Sequence, residues 1–299
     1  MRFAFEEAAI RPEDLELGRT EYLIPDFLVA EAITMIYGAA SQGKTWFMYA
    51  LAKELARRDS VEKIIYIDLD NPKRQLVDRR VRELLLPCQK ISYLTKSSLR
   101  LSPTELLEAM DKEAYGRNYE GVVMVFDSTR DFVPDTKNDA QAKRFMERMK
   151  SLREAGATVL LIHHATKSGR VIDGSVEFVR SADNVYELRQ KLRSGSKIHY
   201  ALKVENDRDP IKDMAFCVDT ESYALSEEDD SYVAMDAAEE AFVKAVLAAL
   251  GSEAMHQSAL LAKMGKARDD KTARKLIEKY QGRFWDYRVD GRKKLYYAL

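Results

Sequence analysis

The sequence predicts an α/β fold: a mostly parallel sheet with helices on both faces, followed by a small second domain. Three observations predict it. Continuous apolar runs, Lys63-Ile64-Ile65-Tyr66-Ile67, Val122-Val123-Met124-Val125-Phe126 and Thr158-Val159-Leu160-Leu161-Ile162, alternate with helical segments, the pattern of parallel strands covered on both faces. A glycine-bearing loop at 38–45 lies between the β-rich run Ala32-Ile33-Thr34-Met35-Ile36-Tyr37 and the helical stretch 46–55. The charge also changes sign along the chain. Residues 237–299 carry 13 Lys and Arg against 8 Asp and Glu, a net of +5, whereas residues 1–236 carry 35 against 41, a net of −6, which together give −1. The acidic run Ser226-Glu227-Glu228-Asp229-Asp230-Ser231 has no apolar periodicity and reads as solvated. The expected division is therefore an α/β domain over 1–223, an acidic linker over 224–236 and a basic domain over 237–299.

Composition bounds the rest. With 299 residues and 46% hydrophobic content, the chain can fill one large core and one small one. It has no apolar run long enough to span a bilayer, and Met1-Arg2-Phe3-Ala4-Phe5-Glu6-Glu7 is not a signal peptide's apolar stretch, so a cytoplasmic protein without a membrane partner is expected. Cys88 and Cys217 show no CxxC spacing and no neighbouring histidine in sequence, so they are expected to be plain thiols rather than zinc ligands or a disulfide.

Residues 38–45, Gly-Ala-Ala-Ser-Gln-Gly-Lys-Thr, fill every fixed position of the phosphate-binding loop pattern. Gly38 and Gly43 allow backbone conformations that side chains forbid, so successive N–H groups can turn inward on phosphates. Lys44 adds a point charge, Thr45 a hydroxyl for Mg²⁺, and the following helix its positive dipole end. The expected nucleotide contacts are Gly38, Ala39, Ala40, Ser41, Gln42, Gly43, Lys44, Thr45 and Trp46, with ATP and Mg²⁺ as cofactors.

Function in such a sheet gathers at the carboxyl ends of the strands. The strand at 122–126 ends in Asp127-Ser128, an apolar strand delivering a carboxylate to the metal; Thr45 and Asp127 are the expected Mg²⁺ residues. The strand at 63–67 ends in Asp68-Leu69-Asp70-Asn71-Pro72, followed by Arg74, Arg79 and Arg80. The strand at 158–162 runs into His163-His164-Ala165-Thr166-Lys167. No third histidine or cysteine stands at ligand spacing there, so a polar sensor of the γ-phosphate is the better reading than a metal site.

The order of these parts, with Asp173-Gly174-Ser175 after them, resembles the RepA-like branch of the RecA/DnaB hexameric ATPases over about residues 22–220. The resemblance implies a RecA-like P-loop core, ATP hydrolysis at subunit interfaces of a homo-oligomeric ring, a hexamer, and DNA as partner. It places Asp70 where the family has a glutamate that orients the attacking water. Aspartate is one methylene shorter, which leaves Asp68 as the alternative acid. It makes His164 the sensor, and Lys167 and Arg170 the start of a DNA-contacting loop. It also makes Leu202-Lys203-Val204-Glu205-Asn206-Asp207-Arg208 a segment that delivers Arg208 and Lys203 to a neighbouring subunit's site; the alternative is a solvated, charged hairpin. The catalytic set so implied is Lys44, Asp70, Asp127, His164, Arg208 and Lys203.

Residues 237–299 read as three helices and a hairpin turning at Asp290-Gly291, which looks like a winged helix. Lys271, Thr272, Arg274, Lys275 and Lys279 would lie on its recognition helix, and Arg292, Lys293 and Lys294 on its wing, as DNA-binding residues. Such modules also dock proteins. Two functions follow: a ring-forming, DNA-stimulated ATPase acting on single strands as a replicative helicase, or an ATP-dependent switch or loader on duplex DNA with little unwinding.

Overall fold

The computed structural model describes residues 20–114, 118–166, 171–229, 231–290 and 293–299. In chain order the strands and helices begin with β1 (Tyr22–Ile24), β2 (Leu28–Val29), β3 (Ile33–Gly38), α1 (Lys44–Leu55), β4 (Lys63–Asp68), α2 (Lys73–Asp78), α3 (Val81–Leu84) and β5 (Ile91–Thr95). They continue with α4 (Pro103–Glu113), β6 (Val122–Asp127), α5 (Asp139–Glu154), β7 (Thr158–His164), α6 (Glu177–Ser181), β8 (Asn184–Ser194), β9 (Lys197–Asp207), β10 (Met214–Asp219) and β11 (Ala224–Glu228). The last part holds α7 (Ser231–Ala234), α8 (Ala237–Leu250), β12 (Met255–His256), α9 (Gln257–Lys263), α10 (Lys271–Lys279), β13 (Trp285–Asp290) and β14 (Lys293–Ala298).

Nine strands form one sheet in the order β11-β10-β9-β8-β3-β7-β6-β4-β5. From β8 to β5 every pairing is parallel, and β9, β10 and β11 extend the sheet as antiparallel strands. The apolar runs are continuous because both faces are covered, and the pleat sends alternate residues to different cores. In β6, Val123 and Val125 join the core under α1, while Met124 and Phe126 join the opposite one. In β7, Leu160 and Ile162 divide from Val159 and Leu161 in the same way. The second core is closed by Phe145, Met146 and Met149 of α5 and Leu106, Leu107 and Met110 of α4. Side chains start these helices: Asn138 accepts from the Gln141 N–H of α5, and Ser102 and Glu105 form a reciprocal capping box on α4.

The C-terminal residues build a second, smaller unit in which α8, α9 and α10 pack on a three-stranded antiparallel sheet of order β12-β14-β13. Trp285 is fully buried, and its indole N–H donates to the Ile277 carbonyl (2.9 Å). The acidic segment expected as a solvated linker is ordered into the fold. Ala224–Glu228 is the edge strand β11, paired along its length with β10. Tyr232, Val233 and Met235 are buried in a cluster that also holds Leu192, Ala201 and Ala215 from the large sheet. Charge misled the sequence reading: the acidic residues sit on a half-solvated edge strand, and the next apolar residues anchor the small unit to the sheet.

Phe27, in the turn between β1 and β2, is fully buried against Tyr186 (ring centroids 5.0 Å), Phe216 (5.1 Å) and Phe47 (6.2 Å), locking α1 to β8 and β10. Phe27→Ala is expected to cost about 3–5 kcal/mol, read as a lower urea midpoint at unchanged m-value.

Candidate nucleotide site

Strand register assembles the site. β3 and β7 pair with Gly38 opposite His164, and β4 and β6 pair with Asp68 opposite Asp127, so the phosphate loop, the carboxylates and the histidine emerge at one edge of the sheet. The loop's two pattern glycines are required for different reasons. Gly43 caps α1 at φ 74°, and a Cβ there would come 2.5 Å from the Tyr200 hydroxyl, which donates to the Gly43 carbonyl (3.0 Å). Gly38 needs no left-handed backbone; instead a Cβ would come 2.6 Å from the Leu188 carbonyl oxygen of β8. Ser41 also takes a positive φ, 64°. The Gln190 N–H donates to Gln42 Oε1 (2.8 Å), so β8 holds the loop from the side.

Lys44 lies buried inside this loop, its ammonium donating to the carbonyls of Gly38 (2.8 Å) and Ala39 (2.9 Å). Burial pushes its pKa down to about 8, against the pull of Asp127 and Asp70. A cation so desolvated gains from an anion placed beside it. Asp127 is the complementary case. It is buried and accepts from the Tyr66 hydroxyl (3.0 Å) and from Thr45, yet burial and the neighbouring Asp68 and Asp70 push its pKa up. A carboxyl crowded by two others beside a threonine hydroxyl is a donor set that suits Mg²⁺, and a loop shaped by Gly38, Gly43 and Lys44 suits a polyphosphate.

The two acids after β4 have separate environments. Asp68 is fully buried and saturated, accepting from Asn71 N (2.9 Å), Asn71 Nδ2 (3.0 Å), Tyr49 Oη (3.3 Å) and the Tyr93 hydroxyl. Asp70 is exposed and lines a cavity of about 300 Å³ together with Lys44, Thr45, Asp127 and His164. The two histidines divide in the same way. His163 points inward between Thr129 and the Asp173 carbonyl (2.6 Å), whereas His164 is half-buried on the cavity wall. Burial lowers the pKa of both, with Lys44 a further cause for His164, so the cavity histidine is a neutral hydrogen-bonding group at physiological pH. Beyond it, Ala165 bridges Ile172, and the Asp173 N–H donates to the His164 carbonyl (2.8 Å). Lys167 and Arg170 lie outside the described residues.

Sequence reasoning missed part of the wall. Gln190 and Arg193 of β8 face the cavity, as do Asn71 and Gln75. Arg79 donates to Asn71 Oδ1 (2.9 Å) with its guanidinium over the Trp46 ring (5.6 Å). The signal for Gln190 and Arg193 lies in topology alone, because β8 is the strand beside the loop. Of the expected contacts, Ser41, Gly43, Lys44, Thr45 and Trp46 line the cavity, Gly38, Ala39 and Gln42 serve within the loop, and Ala40 completes it.

Other expected residues lie elsewhere. Arg208 follows β9 at the opposite end of the sheet, where it pairs with Asp183 (3.4 Å) and donates to the Arg180 carbonyl (2.9 Å). Lys203 stands opposite Glu187 on β9. Neither lines this chain's cavity. On the small unit, Lys271, Thr272, Arg274 and Lys275 form an exposed face of α10, and Lys293 and Lys294 are exposed on β14, Lys294 over the Tyr287 ring (4.1 Å). Lys279 departs from that pattern: its ammonium is bound to Glu239, which also accepts from the Tyr280 hydroxyl (2.9 Å), so it fastens α10 to α8. Arg292 lies outside the described residues.

His163 supplies a pH test. Its buried ring titrates at about 4, while an unfolded chain takes the proton near 6.5. Between these values the unfolded state takes up the His163 proton more readily, so this residue's contribution to stability falls as pH drops from 6.5 to 4, by about 3 kcal/mol at most, while the raised pKa of buried Asp127 works in the opposite direction. The stability of the wild type minus that of His163→Asn, followed in denaturation series at several pH values, should decrease as pH falls across this range.

No curated protein matches the chain. A family model described as "AAA domain" matches residues 5–170, more than half of the 299 and the stretch that holds the loop, both carboxylate strands and the histidine pair. The chain thus belongs to the AAA-domain family and is an ATPase of the P-loop type.

Proposed function

We propose that this protein is a DNA-stimulated ATPase in which the state of the nucleotide sets the grip of the C-terminal unit on DNA. One observation carries the coupling. Along β8, Gln190 and Arg193 face the nucleotide cavity, while Lys191 donates to the Met235 carbonyl (2.9 Å) and Leu192 joins the core of the small unit. Along β9, Tyr200 holds the loop glycine, while Ala201 packs with the small unit and His199 stacks on Tyr232 at 5.0 Å. Two strands thus touch the nucleotide site with some residues and the small unit with their immediate neighbours. A shift of the loop on binding or hydrolysis reaches that unit through one strand thickness.

In this reading the loop N–H groups and Lys44 would hold the phosphates of ATP, and Thr45 and Asp127 would hold Mg²⁺, whose positive charge would offset the negative charge of the phosphates. Asp70, free in the cavity, orients the attacking water, and His164 hydrogen-bonds the γ-phosphate. Asp68 is a structural acid, held by four donor groups, that fixes the turn carrying Asp70. The small unit is a winged helix whose α10 lies on duplex DNA, with Lys271, Arg274 and Lys275 on phosphates.

The resemblance to RepA-type helicases extends this to a ring, with single strands in its pore and sites completed between subunits. The alternative, an ATP-dependent switch or loader on duplex DNA, is favoured by Arg208, which is tied to Asp183 rather than projecting freely. Steady-state ATP hydrolysis with single-stranded and duplex DNA, at two protein concentrations and fixed salt, separates them. Stimulation by single strands that grows with protein concentration supports the ring motor; duplex binding with a rate indifferent to single strands supports the switch. ATP turnover insensitive to any DNA would overturn the coupling altogether.

Replacing Lys271, Arg274 and Lys275 together by Ala is expected to weaken duplex binding and to flatten the slope of log affinity against log salt by about 2–3, because each lost phosphate contact removes about 0.9. Fluorescence anisotropy over a salt series measures it.

A further inference from the structure

Outside the nucleotide site, the antiparallel extension brings together three side chains that sequence spacing kept apart. His199 of β9 stands directly opposite Cys217 of β10, and Glu228 at the end of β11 comes from the neighbouring strand. One ligand atom from each lies within 4.8 Å of the others, with Cys217 buried and the other two half-buried. Glu228 holds the imidazole at Nδ1 (2.9 Å). The expectation that Cys217 has no histidine nearby is therefore corrected: the pairing of β9 with β10 supplies one that is 18 residues away in sequence.

We propose that His199, Cys217 and Glu228 form a binding site for Zn²⁺ or a similar borderline-soft divalent ion. An imidazole nitrogen, a thiolate and a carboxylate are the three ligand types zinc takes, and the sulfur disfavours Mg²⁺ and Ca²⁺. Ligand atoms this close reach a tetrahedral ion by small side-chain movements, because all three stand on paired strands whose backbones already fix their spacing. Three protein ligands leave one position for water or another exchangeable donor.

The site's position gives the ion a consequence. It ties edge strand β11 to β9 and β10, and the His199 ring stacks flat on Tyr232, the first large side chain of the segment leading into the small unit (interplanar angle 2°). Metal binding would stiffen the seam through which β9 meets that unit. It is distinct from the Mg²⁺ residues, so it stands whether or not the DNA reading does.

The test uses full-length protein stripped with a chelator and dialysed into buffer with saturating Mg²⁺ and ADP, then titrated with Co²⁺ and with Zn²⁺. The expected result is one ion per chain, a thiolate-to-cobalt charge-transfer band in the near ultraviolet, and displacement of Co²⁺ by Zn²⁺. Cys217→Ser should abolish the band, and Glu228→Gln, which keeps the shape of the side chain, should weaken Zn²⁺ binding at least tenfold. Cys88→Ser should leave both unchanged. No charge-transfer band in the wild type, or a band that survives Cys217→Ser and vanishes in Cys88→Ser, would overturn the proposal. Should Cys217→Ser fail to fold, Glu228→Gln with unaltered Zn²⁺ affinity would overturn it equally.

Discussion

The arrangement depends on the register of four parallel strands. Gly38 ends its strand beside His164, and Asp68 ends its strand beside Asp127, so a phosphate loop, two carboxylates and an imidazole from positions 38 to 164 reach one edge together. A slip of one residue in any of these pairings would turn Asp127 or His164 from one face to the other. The register is protected by burial on both faces: each strand divides its apolar residues between two cores, and a slip would exchange them all. The charged groups exploit that rigidity. Lys44 and Asp127 are held out of water in states that burial disfavours, which suits them to bind a charged ligand rather than to each other's permanent neutralisation.

The same pleat that separates the two cores also links the two functional regions. β8 and β9 present some residues to the phosphate loop and the adjacent ones to the small unit, so neither region is independent of the other. The buried Lys191, which reaches the Met235 carbonyl, and the cluster of Leu192, Ala201, Ala215, Tyr232 and Val233 make the seam continuous rather than a tether. An acidic edge strand and an aromatic anchor stand where the sequence suggested a solvated spacer.

What the sequence revealed and what it hid have physical reasons. The parallel core was readable because doubly covered strands must be apolar throughout, and the phosphate loop because backbone and charge requirements fix its residue types. Asp127 and His164 were readable because strand ends in such a sheet carry the chemistry. Gln190, Arg193 and the trio of His199, Cys217 and Glu228 were not, because their meaning comes from strand pairing across long sequence separations. Lys279 looked like its basic neighbours on α10, and only the packing of α8 shows that Glu239 holds it. Asp68 and Asp70, two residues apart, could be separated only by seeing that one is enclosed by donors and the other faces the cavity.

In the proposed function Asp70 is the working acid of the ATP-hydrolysing site. Single-turnover cleavage of Mg²⁺-bound ATP by the wild type, Asp70→Asn and Asp68→Asn, with nucleotide affinity measured in parallel, tests it most directly. Asp70→Asn is expected to bind ATP normally and to cleave it about 10²–10⁴-fold more slowly, and Asp68→Asn to lose stability more than chemistry. Cleavage at the wild-type rate by Asp70→Asn would contradict it.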